Sequence, residues 1–549
     1  MPSLSTWFHT IRYLRPVQIY GRLWFKLYHP ATQLDPAPKV RPPSCVWVTP
    51  AKRRASLIRS LTFRFLNEEH ELRDQYDWDN SNIEKLWRYN LHYFDDLNAE
   101  GAGSRADWHQ EIFKRWVDEN PPGQGSGWEP YPCSLRIVNW IKWSLSSHEL
   151  TQQCLQSLAV QTRWLSHRLE YHLLGNHLFA NAKALIFSGM FFEGAEAQRW
   201  IDKGLAILES ELPEQILKDG GHFELSTMYH SIALEDLLDI YNLLLTYSNV
   251  NPDKFLSLNN KLVILIESMQ CWLNIMCHPD GEIGLFNDAA IGIAPSLSEL
   301  SRYALDLGFQ SSAEPVDGIT HLSASGYIRV QSNGMVSLLD VAKVGPDYLP
   351  GHAHADTFTF ESSLHGQRLF VNSGTSKYGN DSERHRQRST SAHNTICIDG
   401  QDSSEIWAGF RVARRACPDK PVINLTQDII DITCSHNGYT RLPGKCIHQR
   451  QWQFTDTQCV IMDNITGSFT SAVARFYIHP DIKVLELDKM KALFGLTLSS
   501  GHVVKVLIQG ADNCHLSHTS WHPEFGLSLQ NICIEAEFST PDLTTSISW

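Results

Sequence analysis

The spacing of apolar residues divides the chain into a helical part and a later part rich in short strands. From residue 134 to about residue 307, apolar positions recur at intervals of three and four residues, which is typical of helices that bury one face. Short loops between these segments predict an all-α domain built from stacked helical hairpins. The predicted helices lie near residues 136–143, 154–170, 176–192, 195–211, 229–247 and 258–277.

The pattern changes near residue 323, where short alternating or wholly apolar runs replace the helical periodicity. Many closely spaced strands with no helix between them predict an antiparallel β-sandwich. The predicted strands lie at residues 326–330, 336–339, 357–360, 369–371, 395–398, 422–425, 451–454, 459–462, 474–478 and 503–508.

These patterns predict three parts of the chain. Residues 1–75 mix aromatic residues, prolines and a basic run, and we expect short helices joined by an extended linker. Residues 76–315 are the expected helical domain and residues 316–549 the expected sandwich. A chain of 549 residues is too long for a single core, which agrees with roughly two or three domains.

Composition is that of a globular protein and argues against some partners. Hydrophobic residues make up 42% of the chain and charged residues 19%, and no apolar run reaches the roughly 18 residues that a membrane-spanning helix needs. The formal net charge of −13 argues against nucleic acid as a partner. Residues 1–30 show no clean export signal and the cysteines form no C-x-x-C pair, so we expect a cytoplasmic protein, with the periplasm as the alternative. The oligomeric state is left open.

Two polar motifs begin predicted helices and could carry chemistry. The first is Gly175-Asn176-His177, where Asn and His could equally serve as a helix cap. The second is DGGHFELSTMYH at residues 219–230, in which a glycine-containing loop places Tyr229 at the head of an apolar helix. A tyrosine in that position could equally be a packing residue.

A third candidate is the segment 351–400, which places several imidazoles at strand edges and loops, where side chains can face a cleft. His352 and His354 flank a single alanine near its start. Tyr378 follows a turn, and His393 lies at the mouth of a predicted strand. A basic loop at residues 384–388 lies between them.

Together these motifs supply an amide, imidazoles and a phenol, a combination that suits proton abstraction beside a carboxylate. Asn and His donors can neutralise the carboxylate, so that the developing enolate is tolerated. A histidine or tyrosinate can then remove the proton, and a tyrosine hydroxyl can protonate the leaving oxygen. Nearby imidazoles and Arg136 could lower the pKa of Tyr229 for this purpose by stabilising its phenolate. The chemistry predicted is β-elimination at a uronic acid, starting at C5.

The motifs GNH, DGGHFELSTMYH, GHAHADTFTFE, VNSGTSKY and SAHNTICIDG, in this order, resemble the heparinase II/III family of polysaccharide lyases over roughly residues 80–480. The resemblance implies an incomplete α/α toroid followed by an antiparallel β-sandwich, with the active site in the cleft between them. Alginate lyases and the dermatan-sulfate epimerase share this architecture. By the same resemblance, Asn176 and His177 neutralise the carboxylate, Tyr229 is the acid and base, and His352 is a base or a neutralising group.

The resemblance also implies a zinc site. His354 and His393 match zinc ligands of the family, and Asn372 stands where the family usually has Asp. A carboxamide oxygen is a poor zinc ligand beside a carboxylate or an imidazole. The candidate cofactor is therefore a structural zinc ion at His354, Asn372 and His393, weakened by the amide.

The predicted partner is an anionic, uronate-containing polysaccharide or oligosaccharide. Contacts to the carbohydrate are predicted from Trp128, Arg136, Tyr378 and Arg388. The basic loop that contains Arg388 could equally be a solvated turn.

The leading hypothesis is a lyase that cleaves such a chain by β-elimination, and three alternatives remain. A C5-uronyl epimerase of the same fold, acting in polysaccharide biosynthesis, would use the same residues. A glycoside hydrolase would need two carboxylates about 5 to 10 Å apart, for which Glu129, Asp219 and Glu224 are candidates. The last alternative is a glycan-binding protein without catalysis.

Overall fold

Amphipathic helices fill the first part of the chain, as the apolar spacing predicts. The computed structural model describes residues 3–549. The helices up to residue 306 are α1 (Leu4–Ile11), α2 (Pro16–Leu27), α3 (Lys85–Tyr93), α4 (Ala106–Glu119), α5 (Pro130–Leu145), α6 (Gln152–His167), α7 (Gly175–Phe191), α8 (Ala195–Gln215), α9 (Thr227–Thr246), α10 (Pro252–Met276) and α11 (Leu297–Asp306).

Helix α7 lies at the centre of the helical domain. It is buried around almost its whole circumference and packs against α5, α6, α8 and α9. Glycine allows the closest of these approaches, because a Cβ at Gly189 would lie only 2.5 Å from the side chain of Ile201 in α8. Buried tryptophans such as Trp140 and Trp143 fill the core on the α5 side. This packing fixes the start of α7, where a candidate motif lies.

A small antiparallel sheet precedes the helical domain and was not predicted. Its strands are β1 (Leu57–Arg59), β2 (Thr62–Phe65) and β3 (Glu68–Glu71). Phe63 and Phe65 of β2 face the helical core, and Phe65 meets Trp87 edge-on. The expectation of only helices and an extended linker over residues 1–75 was therefore wrong, because these strands are too short to show a clear alternation.

Strands dominate from residue 318 onward. They are β4 (Gly318–Leu322), β5 (Tyr327–Ser332), β6 (Met335–Asp340), β7 (Phe360–Leu364), β8 (Gln367–Phe370), β9 (Ile396–Ile398), β10 (Ile406–Trp407), β11 (Arg411–Val412), β12 (Val422–Leu425), β13 (Ile430–His436), β14 (Ile447–Phe454), β15 (Gln458–Thr466), β16 (Ala472–Ile478), β17 (Lys483–Asp488), β18 (Leu493–Thr497), β19 (Val503–Gln509), β20 (Asn513–Trp521), β21 (Leu529–Phe538) and β22 (Asp542–Ser548).

Most of these strands form two large antiparallel sheets, and β10 pairs with β11 separately. One has the order β20-β21-β16-β8-β7-β6-β5-β4, with β9 also paired to β16, and the other has the order β12-β13-β14-β15-β22-β19-β18-β17. Alternate residues of β14 and β15 are buried, and Trp452 stands opposite Ile461 in their register. The core lies between the two sheets. The predicted order, a helical toroid followed by an antiparallel sandwich, is confirmed.

Two local predictions in the sandwich differ from the structure. Residues 357–359 form a turn, and Phe358 adopts a positive φ of 69°, so strand β7 begins only at Phe360. The basic loop forms a short helix, α12 (Ser382–Arg388), whose first turn is capped by the side chain of Asp381. No helix within residues 3–549 combines the length and apolarity needed to cross a bilayer.

Candidate active site

A cleft of about 760 Å³ lies between the helical domain and the sandwich. Its walls include Asn176 and His177 from the start of α7, Tyr229 from the start of α9, and His352 and Tyr378 from loops of the sandwich. The structure thus brings together all four residues predicted to be catalytic and one of the four predicted to bind substrate.

His177 is presented by an unusual turn at the start of α7. Leu174 and Gly175 both have positive φ, and a Cβ at Gly175 would lie 2.5 Å from Leu349 and 3.0 Å from a carboxylate oxygen of Glu224. The Nδ1 atom of His177 lies 3.1 Å from Glu170. Burial alone would lower the pKa of His177, but the Glu170 carboxylate outweighs it, and the pKa is raised above its ordinary value. The Nε2 edge is left for a ligand.

Tyr229 and Tyr378 meet in the cleft across the domain boundary. Their hydroxyl oxygens are 2.9 Å apart, and the ring of Tyr229 lies 4.1 Å from that of His352. Ser226 caps α9 by accepting a hydrogen bond from the backbone N–H of Tyr229. This bond fixes the backbone position from which the Tyr229 side chain extends. Burial, followed by the neighbouring hydroxyl of Tyr378, raises the pKa of Tyr229 well above its ordinary value. The suggestion of a lowered pKa was wrong.

Asp288 orients the two neighbouring histidines and was missed by the sequence analysis. His352 donates from Nδ1 to one oxygen of Asp288 at 2.9 Å, and His354 donates from Nε2 to the other at 2.8 Å. Arg384 of α12 forms a two-pronged ion pair with the same carboxylate. Burial alone would raise the pKa of Asp288, but Arg384 and the histidines hold it well below its usual range. With Nδ1 donating to Asp288, the neutral ring of His352 carries its lone pair on Nε2.

Glu224 lies beside the Nε2 atom of His352. Its carboxyl is buried and lies 3.6 Å from Nε2 of His352. Neither oxygen accepts a hydrogen bond of normal geometry from residues 3–549. Burial raises the pKa of Glu224, which favours its protonated form beside the histidine.

A separate cluster behind this site could hold a metal ion. His354, Asp356 and His393 place ligand atoms within 4.8 Å of one another, and all three residues are buried. Within residues 3–549, Nδ1 of His354, Oδ2 of Asp356 and Nε2 of His393 have no hydrogen-bond partner. Burial lowers the pKa of His354 to about 4, so the imidazole is neutral as a ligand must be. Two imidazoles and a carboxylate are a donor set that zinc accepts.

Asn372, which was predicted to be the third ligand, lies beside His393. Its Oδ1 accepts hydrogen bonds from Thr359 Oγ1 at 2.6 Å and from His393 Nδ1 at 3.1 Å. The amide oxygen is therefore occupied and sets the tautomer of His393, whose Nε2 is left free. Asp356 is a further candidate for the third ligand, because its carboxylate lies close to both histidines.

Three residues predicted to contact carbohydrate do not line the cleft. Arg136 is fully buried and donates to Gln161 and to the carbonyls of His92 and Gly127. Trp128 is buried and donates to the carbonyl of Asn120.

The third of these residues, Arg388, has a positioning role. It is fully buried and donates from Nε and from one terminal nitrogen to the carbonyl of Ala353, the residue between His352 and His354. These predictions were wrong because a helical or loop pattern does not show which way a long side chain turns.

Charged residues in the helical part of the cleft are largely neutralised by one another. Lys142 and Lys183 both donate to Asp239, at 2.9 and 2.6 Å, and Lys183 also reaches Asp236 at 2.7 Å. Other cations line the cleft without a carboxylate partner in the described chain, among them Arg22 and Arg411.

Two of the three carboxylates considered for hydrolysis do not line the cleft. Asp219 accepts hydrogen bonds from the backbone of Ala324 and Ser325, away from the site. Glu129 is engaged by Tyr89 and Lys85. Only Glu224 lies in the cleft.

The chain combines a helical toroid with an antiparallel sandwich, and tyrosine, histidine and asparagine face the cleft between them. Family models match both parts. The model "Heparinase II/III N-terminus" matches residues 52–307, and "Heparinase II/III-like, C-terminal" matches residues 315–549. The chain belongs to the heparinase II/III family.

Similar proteins include two named "Heparin-sulfate lyase". The one from Pedobacter heparinus is 26% identical over 441 residues, which is 74% of this chain and 63% of that protein. The one from Bacteroides stercoris is 25% identical over 383 residues, 64% of this chain and 54% of that protein. The chain therefore spans less than two thirds of the length of either relative.

Solved structures show the shared fold. "Crystal Structure of Heparinase III" superposes with a TM-score of 0.66 at 18% identity, covering 86% of this chain and 79% of that one. The heparan sulfate lyase HepC from Pedobacter heparinus gives a TM-score of 0.59 at 20% identity, covering 97% and 87%.

Proposed function

We propose that the protein is a polysaccharide lyase that cleaves a uronate-containing chain by β-elimination. The observation that carries this proposal is the convergence of Tyr229, His352, Asn176 and His177 on one cleft. A pair of free carboxylates, which hydrolysis would require, is not found among the candidates that line it. The relatives named for heparin-sulfate lyase activity support the same reaction.

In the proposed mechanism, the uronate carboxylate is bound by Asn176 and the protonated edge of His177. Their hydrogen bonds strengthen as C5 loses its proton and charge moves onto the carboxylate oxygens. The lone pair on Nε2 of His352 accepts that proton, while Asp288 stabilises the resulting imidazolium. Electrons from the C5–H bond form the C4–C5 double bond as the C4–O bond breaks.

The leaving oxygen then takes a proton from the hydroxyl of Tyr229. A raised pKa keeps this hydroxyl protonated before the reaction, as an acid requires. Tyr378, at 2.9 Å, can return a proton to Tyr229 from solvent. Tyr229 and His352 are in ring contact, and we expect both to approach the sugar from the same face, which would favour elimination over epimerisation.

The charge of the cleft favours a uronate chain of modest charge over a densely sulfated one. Lys142 and Lys183, which could bind sulfate groups, are already satisfied by Asp236 and Asp239. Arg22 and Arg411 remain for anionic groups of the chain. We expect faster cleavage of an unsulfated uronate polymer than of highly sulfated heparin, compared at equal uronate concentration.

We also propose that His354, Asp356 and His393 hold a zinc ion with a structural role. The ion would tie together the loops that carry His352 and Asp288. Asp356→Asn should lower the zinc content of purified protein well below that of the wild type, measured by elemental analysis. Asn372→Ala should keep most of the zinc. A greater loss of zinc in Asn372→Ala than in Asp356→Asn would identify Asn372 as the ligand.

The experiment for the main proposal is a screen of uronate polysaccharides for the ultraviolet absorbance of a C4–C5 unsaturated product. Parallel reactions in deuterated water report exchange at C5. Absorbance with cleavage supports the lyase, whereas exchange without cleavage would identify an epimerase. New reducing ends without absorbance would identify a hydrolase.

A further inference from the structure

Helices α1 and α2 precede the segment matched by the family model. They bury polar residues and expose apolar ones, the reverse of an ordinary surface helix. Their buried positions include Thr6, Thr10 and Gln18. Thr10 accepts a hydrogen bond from Trp407 of the sandwich at 3.0 Å, and Gln18 donates to the carbonyl of Tyr348 at 3.0 Å. Polar contacts therefore help to hold these helices on the body of the protein, together with the edge-on contact of Trp7 with Trp407.

The apolar residues of α2 face outward. Ile19, Tyr20, Leu23, Trp24 and Leu27 recur on one helical face and are 50 to 81% exposed. Single exposed apolar side chains occur elsewhere on this protein, but a contiguous apolar surface of this kind marks an interaction site.

Helix α1 also exposes apolar residues. Leu4, Trp7, Phe8 and Ile11 have the spacing of one helical face and are 45 to 90% exposed. The outer face of α1 and α2 is called the apolar face below.

The charge around the apolar face indicates what covers it. Residues 3–34 contain Arg12, Arg15, Arg22 and Lys26 but no Asp or Glu, in a chain of net charge −13. Arg15 pairs with Glu214, and the other three cations form no ion pair with residues 3–549. A second copy of the chain would bring the same cations face to face, which is unfavourable. An apolar layer with negative charge at its edge fits both the exposed apolar residues and the unpaired cations around them.

We propose that the apolar face binds the surface of a bilayer that contains anionic lipid. Trp7, Tyr20 and Trp24 are the residue types that favour the boundary between headgroups and acyl chains. Arg12 and Lys26 would meet the headgroups. Gln18 and Arg22 also line the cleft, so the helix that docks is at the same time part of the cleft wall.

Flotation with vesicles tests the apolar part of the proposal. The full chain should float with vesicles of phosphatidylcholine and phosphatidylglycerol. The variant L23E/W24E removes two exposed apolar side chains and adds repulsion, so partitioning should fall roughly a hundredfold or more. The matched control L256E/I264E changes two exposed residues of α10, 60 and 67% exposed, and should float like the wild type.

A second pair of measurements tests the charge and excludes a protein partner. R12Q/K26Q should weaken binding to the anionic vesicles by roughly fivefold per cation and have little effect on vesicles of phosphatidylcholine alone. Equal flotation of wild type and L23E/W24E would overturn the proposal. A lipid-free dimer that L23E/W24E dissociates, with no flotation of the wild type, would also overturn it and assign the face to a second copy.

Discussion

The two walls of the cleft hold their reactive groups in different ways. On the helical wall, Asn176, His177 and Tyr229 lie within the first turns of α7 and α9, so local helix starts place them. On the sandwich wall, His352 lies in a loop and depends on Asp288, 64 residues earlier in the chain. Local helix geometry fixes the helical wall, whereas a buried charge network fixes the sandwich wall. Substitutions in the two walls should therefore differ in their effects on stability and activity.

The largest effect is expected at Asp288. Asp288→Asn leaves Arg384 buried without a counter-charge, which should lower the free energy of unfolding by about 3 to 5 kcal/mol in urea titrations. It also removes the acceptor that sets the tautomer of His352, so kcat should fall roughly a thousandfold or more. The exposed Asp306→Asn, which breaks a surface pair with Arg302, should cost less than about 1 kcal/mol. A fully active, fully stable Asp288→Asn would show that the sandwich wall does not depend on this network.

A smaller effect is expected at His177 on the helical wall. His177→Gln should lower kcat/KM by roughly a hundredfold, the scale of one lost donor to a developing oxyanion, with little loss of stability. In the wild type, binding of the uronate should weaken as the pH rises through the raised pKa of His177, because the proton that faces the carboxylate is lost.

The Glu170 carboxylate provides a control for this pH dependence. Glu170→Gln removes the group that raises the pKa of His177, so the fall in kcat/KM should move to lower pH. The ion pair of His177 with Glu170 stabilises the folded state fully below about pH 6.5, the pKa of the histidine in the unfolded chain. This stabilisation is lost as the pH rises through the higher pKa that His177 has in the folded protein. Glu193→Gln, at the surface, should leave the pH dependence of kcat/KM unchanged. An unshifted pH dependence in Glu170→Gln would show that it does not arise from the titration of His177.

The smallest effect is expected at Arg411 on the cleft rim. Arg411→Gln should raise KM by roughly fivefold with kcat unchanged, as expected for one charged contact in a solvated site. The neighbouring Arg414→Gln, whose guanidinium pairs with Glu405 outside the cleft, should leave KM unchanged. Equal KM values for both variants would exclude Arg411 from substrate binding.

The periodicity of the sequence was sufficient to predict the fold class. The segment 219–230 and the start of α7 could be recognised as candidate sites because helix starts combine glycine, polar caps and a following apolar run. The role of Asp288 could not be predicted in this way. It lies in a short loop after Asn287, and only the packing of the sandwich on the helical domain brings it to His352 and His354.

Side-chain direction accounts for the other differences. Arg136 and Arg388 look like ligands for an anionic sugar in a sequence, but both turn inward and bind backbone carbonyls. Asp356 also lies close to His354 and His393, and its side-chain direction could not be predicted from the sequence. Residue type alone does not contain this information.

The hydroxyl of Tyr229 is the most direct test of the proposed elimination. Tyr229→Phe keeps the ring and its packing, so the melting temperature should stay close to that of the wild type. Formation of the ultraviolet-absorbing product should fall roughly a hundredfold or more, the scale of one general acid. The control Tyr439→Phe, which removes a buried hydroxyl bonded to Ile396 in the sandwich, should retain the wild-type rate. Full activity of Tyr229→Phe on a polysaccharide that the wild type cleaves would contradict the mechanism.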